Sequence, residues 1–252
     1  MSSPHEMAVS PAFEAVLDQA LAGLPCFVGA TEKRLAPLLP EKFVLAGNYI
    51  KSFPQHGFSV SNSVNEDERY LLSPTCCYPV FYDLKDSQHA ESLLVTHKNL
   101  CFRCEEYYKP GIRQIAYTMR EYILMCERLE DVAAWIEGVK AEVAEMLQGL
   151  GLSVDVEVAT DPFFNSDDYK QKFQRDQNLK HEFVIGGVAC GSVNLHLKAF
   201  SRSCNITSHG GHEYYSACFG LGYDRVYHQY QASLERQAQE KPAIRTGELE
   251  HV

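Results

Sequence analysis

The amino-acid sequence predicts an α+β fold, a mixed and mainly antiparallel sheet flanked by helices, on three observations. Strand-like runs follow one another along much of the chain, instead of alternating one for one with helices as a doubly wound parallel sheet requires. Two long segments, 131–150 and 223–239, read as helices, the first with apolar residues recurring at threes and fours. The arginines and acidic residues that suit a polyphosphate occur without a glycine-rich phosphate loop.

The elements follow in order. Residues 12–23 have helical apolar spacing, with Pro11 at the first turn and Gly23 as the stop. Over 41–82 the pattern changes to short β-branched and aromatic runs, and 93–96 and 101–103 read as strand. Lys109-Pro110-Gly111 is a natural turn, and 112–125 is strand-like. In the long helix Val132, Trp135, Ile136, Val139, Val143, Met146 and Leu147 share a face, and Gly149 and Gly151 close it. An alternating strand at 154–158 precedes a polar loop opened by Asp161-Pro162. Segments 184–188, 191–197 and 216–222 read as further strands, the last running into the helix at 223–239. There is no internal repeat and no linker rich in glycine or serine. One catalytic domain is expected over 12–239, with loose tails at 1–11 and 240–252.

Composition narrows the class of protein. At 252 residues, 45% hydrophobic and 22% charged, the chain can fill one large core and is neither disordered nor fibrous. No apolar run of about 18 residues could span a bilayer, and the N-terminus lacks a basic start followed by an apolar stretch. A cytoplasmic protein without a membrane partner is expected. Nine cysteines at scattered spacings then read as reduced thiols, some of them metal ligands, rather than a disulfide framework. A net charge of −10, from 23 basic and 33 acidic residues, disfavours a dedicated nucleic-acid binder.

The chemistry concentrates in a few motifs. In an extended strand Arg103 and Glu105 leave the same face, and Arg113, Tyr117 and Glu121, spaced by four, share a face of the next strand. Taken alone, Arg103 and Glu105 read as a surface ion pair. Two strands joined by a loop would instead present two arginines, an aromatic ring and two carboxylates to one site. Cys101 and Cys104 have zinc-knuckle spacing but no second pair, and residues three apart on a strand face opposite sides. His209-Gly210-Gly211-His212 reads as a flexible loop, and 170–175 as a solvated helix face or a rim for an acidic partner. Cys26, Cys126, Cys190 and Cys204 read as small core residues.

Phe102-Arg103-Cys104-Glu105 and, in the right order, Gly220-Leu221-Gly222-Tyr223-Asp224-Arg225 resemble the second and third signatures of the class II aminoacyl-tRNA synthetase catalytic domain. The resemblance implies Arg103 on the α-phosphate of ATP, Glu105 on the adenine amine, Tyr117 stacked on the base and Arg225 over the ring or γ-phosphate. Arg113 is a candidate for the β- or γ-phosphate. Arg103 and Arg225 would be catalytic, since preorganised cations stabilise charge developing on a phosphorus centre.

Further segments narrow the likeness: Tyr49-Ile50-Lys51-Ser52-Phe53-Pro54, Cys77-Tyr78-Pro79-Val80, Met119-Arg120-Glu121-Tyr122, Asp161-Pro162-Phe163-Phe164, Ser192-Val193-Asn194-Leu195-His196 and Ser216-Ala217-Cys218. From about residue 12 to 230 the chain resembles the amino acid:[carrier protein] ligases, relatives of the zinc-dependent seryl-tRNA synthetases of methanogens. The resemblance implies ATP-dependent activation of a small amino acid, glycine or alanine, and its transfer to the phosphopantetheine thiol of a carrier protein by a homodimer. It implies zinc held by Cys77, Glu121 and Cys218 with a fourth position open for the substrate amine, and Ser192 and Asn194 among the cofactor-binding residues. Read on a strand, Cys76 and Cys77 face opposite ways, so one ligates; Cys77 is preferred for its place before Tyr-Pro-Val. No acidic residue lies at 188–192, where synthetases often hold magnesium beside ATP. The rival functions are a tRNA ligase of the seryl type, disfavoured by the acidic charge and the lack of a basic domain, and a non-catalytic paralogue that binds amino acid or adenylate.

Overall fold

A computed structural model describes residues 9–46, 56–65, 67–105, 107–159 and 179–240. The expected segments Tyr49-Ile50-Lys51-Ser52-Phe53-Pro54, Asp161-Pro162-Phe163-Phe164 and 170–175, and most of both expected tails, lie outside the described residues. Ser10 caps the first helix, α1 (Pro11–Ala22), by accepting a hydrogen bond from the Phe13 amide, and Gly23 closes it. A 3-10 turn (Pro25–Phe27) leads to β1 (Thr31–Lys33). Next come β2 (Leu38–Pro40), α2 (Glu41–Ala46), β3 (Ser59–Ser61), β4 (Arg69–Leu72), α3 (Cys77–Asp83) and β5 (Gln88–His89). The long strands β6 (Leu93–Phe102) and β7 (Ala116–Cys126) precede α4 (Leu129–Gly149). The chain continues through β8 (Val154–Val158), β9 (Lys180–Ile185), β10 (Val188–Leu197), α5 (Ala199–Cys204), β11 (Thr207–Ser208), β12 (Tyr215–Gly222) and α6 (Tyr223–Glu240).

The central sheet has seven strands in the order β1-β6-β7-β12-β10-β9-β8. Every neighbouring pair is antiparallel except β1 with β6. The mixed, mainly antiparallel sheet with flanking helices agrees with the expected class. Alternating side chains build a core on each face. Phe13, Leu17, Val139, Val143, Phe183, Phe219 and Val226 pack together on one, joining α1, α4 and α6 to the sheet. Tyr78, Val80, Phe81, Ile123, Ile206 and Cys218 pack on the other, where α3 and α5 lie. No helix among the described residues is long and apolar enough to cross a membrane.

Three local readings change. The 41–82 region is not all strand, because α2 and α3 fall within it. In Cys77–Asp83 the β-branched and aromatic residues serve burial, with Cys77, Tyr78, Pro79, Val80 and Phe81 all buried, so tertiary packing overrides strand propensity. Pro79 sits in the first turn, where its missing N–H leaves no helical bond unmade. The segment 184–188 straddles a hairpin: Gly186 (φ 57°) and Gly187 (φ 77°) form a two-residue turn that demands positive φ, leaving Val188 to the next strand. Finally, β6 ends at Phe102 and β7 begins at Ala116, so Arg103, Glu105 and Arg113 lie on the connection between the strands.

Candidate active site

The register across four strands assembles the site. Glu121, Gly220, Ser192 and Glu182 stand opposite one another on β7, β12, β10 and β9, and Ile123, Cys218, Asn194 and Lys180 form the adjacent row. Residues directly opposite in a sheet point to the same face. Cys77 reaches this face from α3, and Arg225 from the first turn of α6, which continues directly from β12. Cys77, Glu121, Cys218, Arg103, Glu105, Arg113, Tyr117, Ser192, Asn194 and Arg225 all line one cavity of about 460 Å³. Every site residue expected from the sequence is therefore brought together.

At one end Cys77, Glu121 and Cys218 are buried, with ligand atoms within 4.8 Å of one another. Among the described residues they are the group of this kind that could hold a metal ion. Glu121 accepts a bond from the Cys76 amide (3.3 Å) on Oε1, while its buried Oε2 has no hydrogen-bond partner among the described residues. Burial, then the nearby Cys218 sulfur, pushes the Glu121 carboxyl well above the usual carboxylate range. The hydrogen bond from Cys77 holds the Cys218 thiol well below its ordinary value against the opposing effect of burial, and donation in that bond raises Cys77. Asn194 Nδ2 and His196 Nε2 lie 3.8 and 3.4 Å from the Cys218 sulfur. Two sulfurs and a carboxylate oxygen, drawn together with one oxygen unpartnered, fit the donor needs of a tetrahedral metal ion with one position left open.

Cys76 is excluded from this group for a reason other than strand alternation. It is the N-cap residue of α3, and its sulfur lies 3.1 Å from the Met119 carbonyl and 3.6 Å from Cys101 Sγ. That contact also occupies Cys101, whereas Cys104 is exposed. His209 and His212 are both exposed, on the loop between β11 and β12.

The other end is cationic. Arg103 Nε donates to the Pro74 carbonyl (3.0 Å), and its guanidinium lies 5.3 Å from the centre of the Tyr117 ring. The Tyr117 hydroxyl donates to the same carbonyl (3.0 Å). Arg225 donates to the carbonyls of Ile112 and Ala189, both at 2.8 Å. Burial, followed by the positive charge of Arg103, lowers the Arg225 pKa from its ordinary value. Two guanidiniums that repel across a partly desolvated cavity favour an anion between them. Arg113 pairs with Glu105 at 2.7 Å, an interaction that a nucleotide contacting both would rearrange.

The sequence reading assigned no role to Lys180, Glu182 or His196. Lys180 and Glu182 form an ion pair (2.9 Å) on the cavity wall. Both lie in β9, which begins at Lys180, four residues before the strand read from the sequence. Glu182, opposite Ser192, is an acidic group that a search confined to 188–192 does not reach.

No protein-family model matches the chain. It is 27% identical over 230 residues to amino acid--[acyl-carrier-protein] ligase 1 of Bradyrhizobium diazoefficiens, covering 79% of this chain and 70% of that protein. Among solved structures, M. kandleri SerRS in complex with A. aeolicus tRNASec aligns with a TM-score of 0.74 at 18% identity, over 88% of this chain and 51% of that one. The Giardia lamblia prolyl-tRNA synthetase, in complex with prolyl-adenylate, aligns at 0.66 and 17% identity over 88% of this chain and 47% of that one. The Cryptosporidium parvum prolyl-tRNA synthetase, complexed with halofuginone and AMPPNP, aligns at 0.67 and 13% over 86% and 44%. The chain spans about half the length of these solved structures. Its fold is that of a class II aminoacyl-tRNA synthetase catalytic domain, and its sequence is similar to that of the Bradyrhizobium amino acid--[acyl-carrier-protein] ligase.

Proposed function

We propose that the protein activates a small amino acid with ATP and passes the aminoacyl group to the phosphopantetheine thiol of a carrier protein. The observation that carries the reading is the convergence of Arg103, Tyr117 and Arg225 with Cys77, Glu121 and Cys218 in one cavity. Cys77, Glu121 and Cys218 would hold zinc, which would supply a Lewis-acid position for the substrate's neutral amine. Arg103 and Arg225 bind the triphosphate and stabilise the charge that develops at the α-phosphorus. Tyr117 stacks on the adenine, Glu105 accepts from its amine, and Arg113 swings from Glu105 to a terminal phosphate. Ser192 and Asn194 hydrogen-bond within the cavity, with Asn194 Nδ2 3.1 Å from Ser192 Oγ, and hold the substrate over the sheet. Glu182 is the carboxylate on the neighbouring strand available to a magnesium ion carried in with ATP.

The amino acid carboxylate attacks the α-phosphorus, pyrophosphate leaves, and the carrier thiol then displaces AMP to give a thioester. No side chain of the protein acts as a nucleophile, so the rate derives from positioning and charge stabilisation. Glycine or alanine is the amino acid of this reading, and Tyr78 and Phe200 also line the cavity. A homodimer is part of the same reading.

Mass spectrometry of a phosphopantetheinylated carrier incubated with the protein, ATP, zinc, magnesium and amino acids tests the transfer. A mass gain equal to one aminoacyl group is expected. An unmodified carrier together with aminoacylated tRNA would reverse the choice of acceptor, and amino acid binding without AMP release would identify a non-catalytic paralogue.

A further inference from the structure

One side chain beside the metal-ligand group is held there by an irregular backbone. The β10–β12 register runs Asn194 opposite Cys218 and Leu195 opposite Ala217, then resumes with Leu197 opposite Ser216. His196 is the extra residue of this bulge. Leu197, immediately after it, has φ 53°, a left-handed conformation that a leucine adopts at a cost. Bulges re-aim side chains beside functional sites.

The bulge directs His196 onto a ligand. Its Nε2 lies 3.4 Å from Cys218 Sγ and its Nδ1 3.4 Å from Ser216 Oγ. A proton on Nε2 satisfies both contacts: the ring donates to the sulfur and accepts from the serine hydroxyl. The ring packs edge-on against Phe200 (4.8 Å) and Phe81 (6.0 Å), which stack on each other at 4.0 Å. The imidazole is thus confined by two aromatic rings and a hydroxyl, with one N–H aimed at the sulfur.

We infer that His196 is a positioning residue for Cys218, fixing the direction of its sulfur and moderating the electron density that it donates to a metal ion. A hydrogen bond to a ligating sulfur withdraws charge from it, and such outer partners commonly alter metal affinity 10- to 100-fold. The inference rests on the metal reading of the Cys77, Glu121 and Cys218 group. It is separate from catalysis, because His196 acts through Cys218.

The test uses the protein reconstituted with cobalt(II), whose sulfur-to-metal charge-transfer absorption reports donation by Cys218, and zinc affinity measured by chelator competition. His196→Ala should shift the absorption and weaken zinc binding on the order of 10- to 100-fold. His196→Gln, whose amide can donate, should recover much of both. Ser216→Ala, a small change that removes the partner of Nδ1, should move the absorption in the same direction by less, and serves if His196→Ala does not fold. Stoichiometric metal binding by the wild type with unchanged absorption and affinity in folded variants overturns the role of His196 alone. Failure of the wild type to bind cobalt or zinc overturns the metal reading and this inference with it.

Discussion

Arg103 shows how a residue's chemistry is set by its surroundings. It lies one position past the end of β6, close to the ring of Tyr117 and to the repelling charge of Arg225. Replacing it with alanine should lower kcat/KM for adenylate formation by about 100-fold or more, the cost of losing one preorganised group at a developing negative charge. Amino-acid-dependent pyrophosphate exchange measures this. Asp18 is an equally specific case away from the cavity. Its carboxylate accepts from Lys98 (2.6 Å), Tyr223 (2.7 Å) and Arg120 (2.9 Å). Burial alone would raise its pKa, but bonds from Lys98, Tyr223 and Arg120 outweigh that and lower it. Because the folded-state pKa is depressed, Asp18 contributes stability above the ordinary carboxylate pKa, and that contribution is lost as pH falls through the lower folded value. Urea unfolding should therefore show Asp18→Asn less stable by about 1–3 kcal/mol near neutrality, with the gap from wild type narrowing as pH falls below the ordinary carboxylate pKa. A gap that stays constant with pH would contradict this.

Strands and helices decide which of these residues meet. Spacing in the sequence places Tyr117 and Glu121 on one face of β7, whereas Arg103, Glu105 and Arg225 are legible from the two synthetase-like signatures and not from strand spacing. Composition could not show that β10 and β9 lie beyond β12, because strand neighbours are fixed by tertiary packing. Lys180 and Glu182 escape because the strand read at 184–188 begins at Lys180, and His196 because a bulge has no period. Cys77 is legible from its place before Tyr-Pro-Val, although a helix and not a strand carries it. The close approach of β10 to β12 has its own requirement. A Cβ on Gly191 would lie 2.9 Å from both the Gly220 carbonyl oxygen and Leu221 Cδ1. Gly191→Ala should therefore destabilise the protein by about 1–3 kcal/mol, read as a lowered urea midpoint, and should weaken substrate binding through the shared floor of the cavity.

For the whole molecule, the sheet joins two chemistries that would be ordinary apart. α3 brings Cys77 to Glu121 and Cys218, the turn from β12 into α6 brings Arg225 to the cationic end, and the β6–β7 connection supplies Arg103, Glu105 and Arg113. α6 is anchored from behind, since Asp224 accepts from the Thr118 amide (2.7 Å) and Tyr223 donates to Asp18. The position of Arg225 therefore depends on contacts on the far side of the sheet. Removal of zinc should abolish amino acid activation while leaving most of the fold in place, because the two cores on either face are built largely from apolar residues. Circular dichroism and exchange activity before and after chelation check both parts. The most direct measurement is pyrophosphate exchange by the zinc- and magnesium-loaded protein across a panel of amino acids. The expected result is stimulation by glycine or alanine that is lost in Arg103→Ala and in Cys218→Ser; no stimulation by any amino acid would contradict the account.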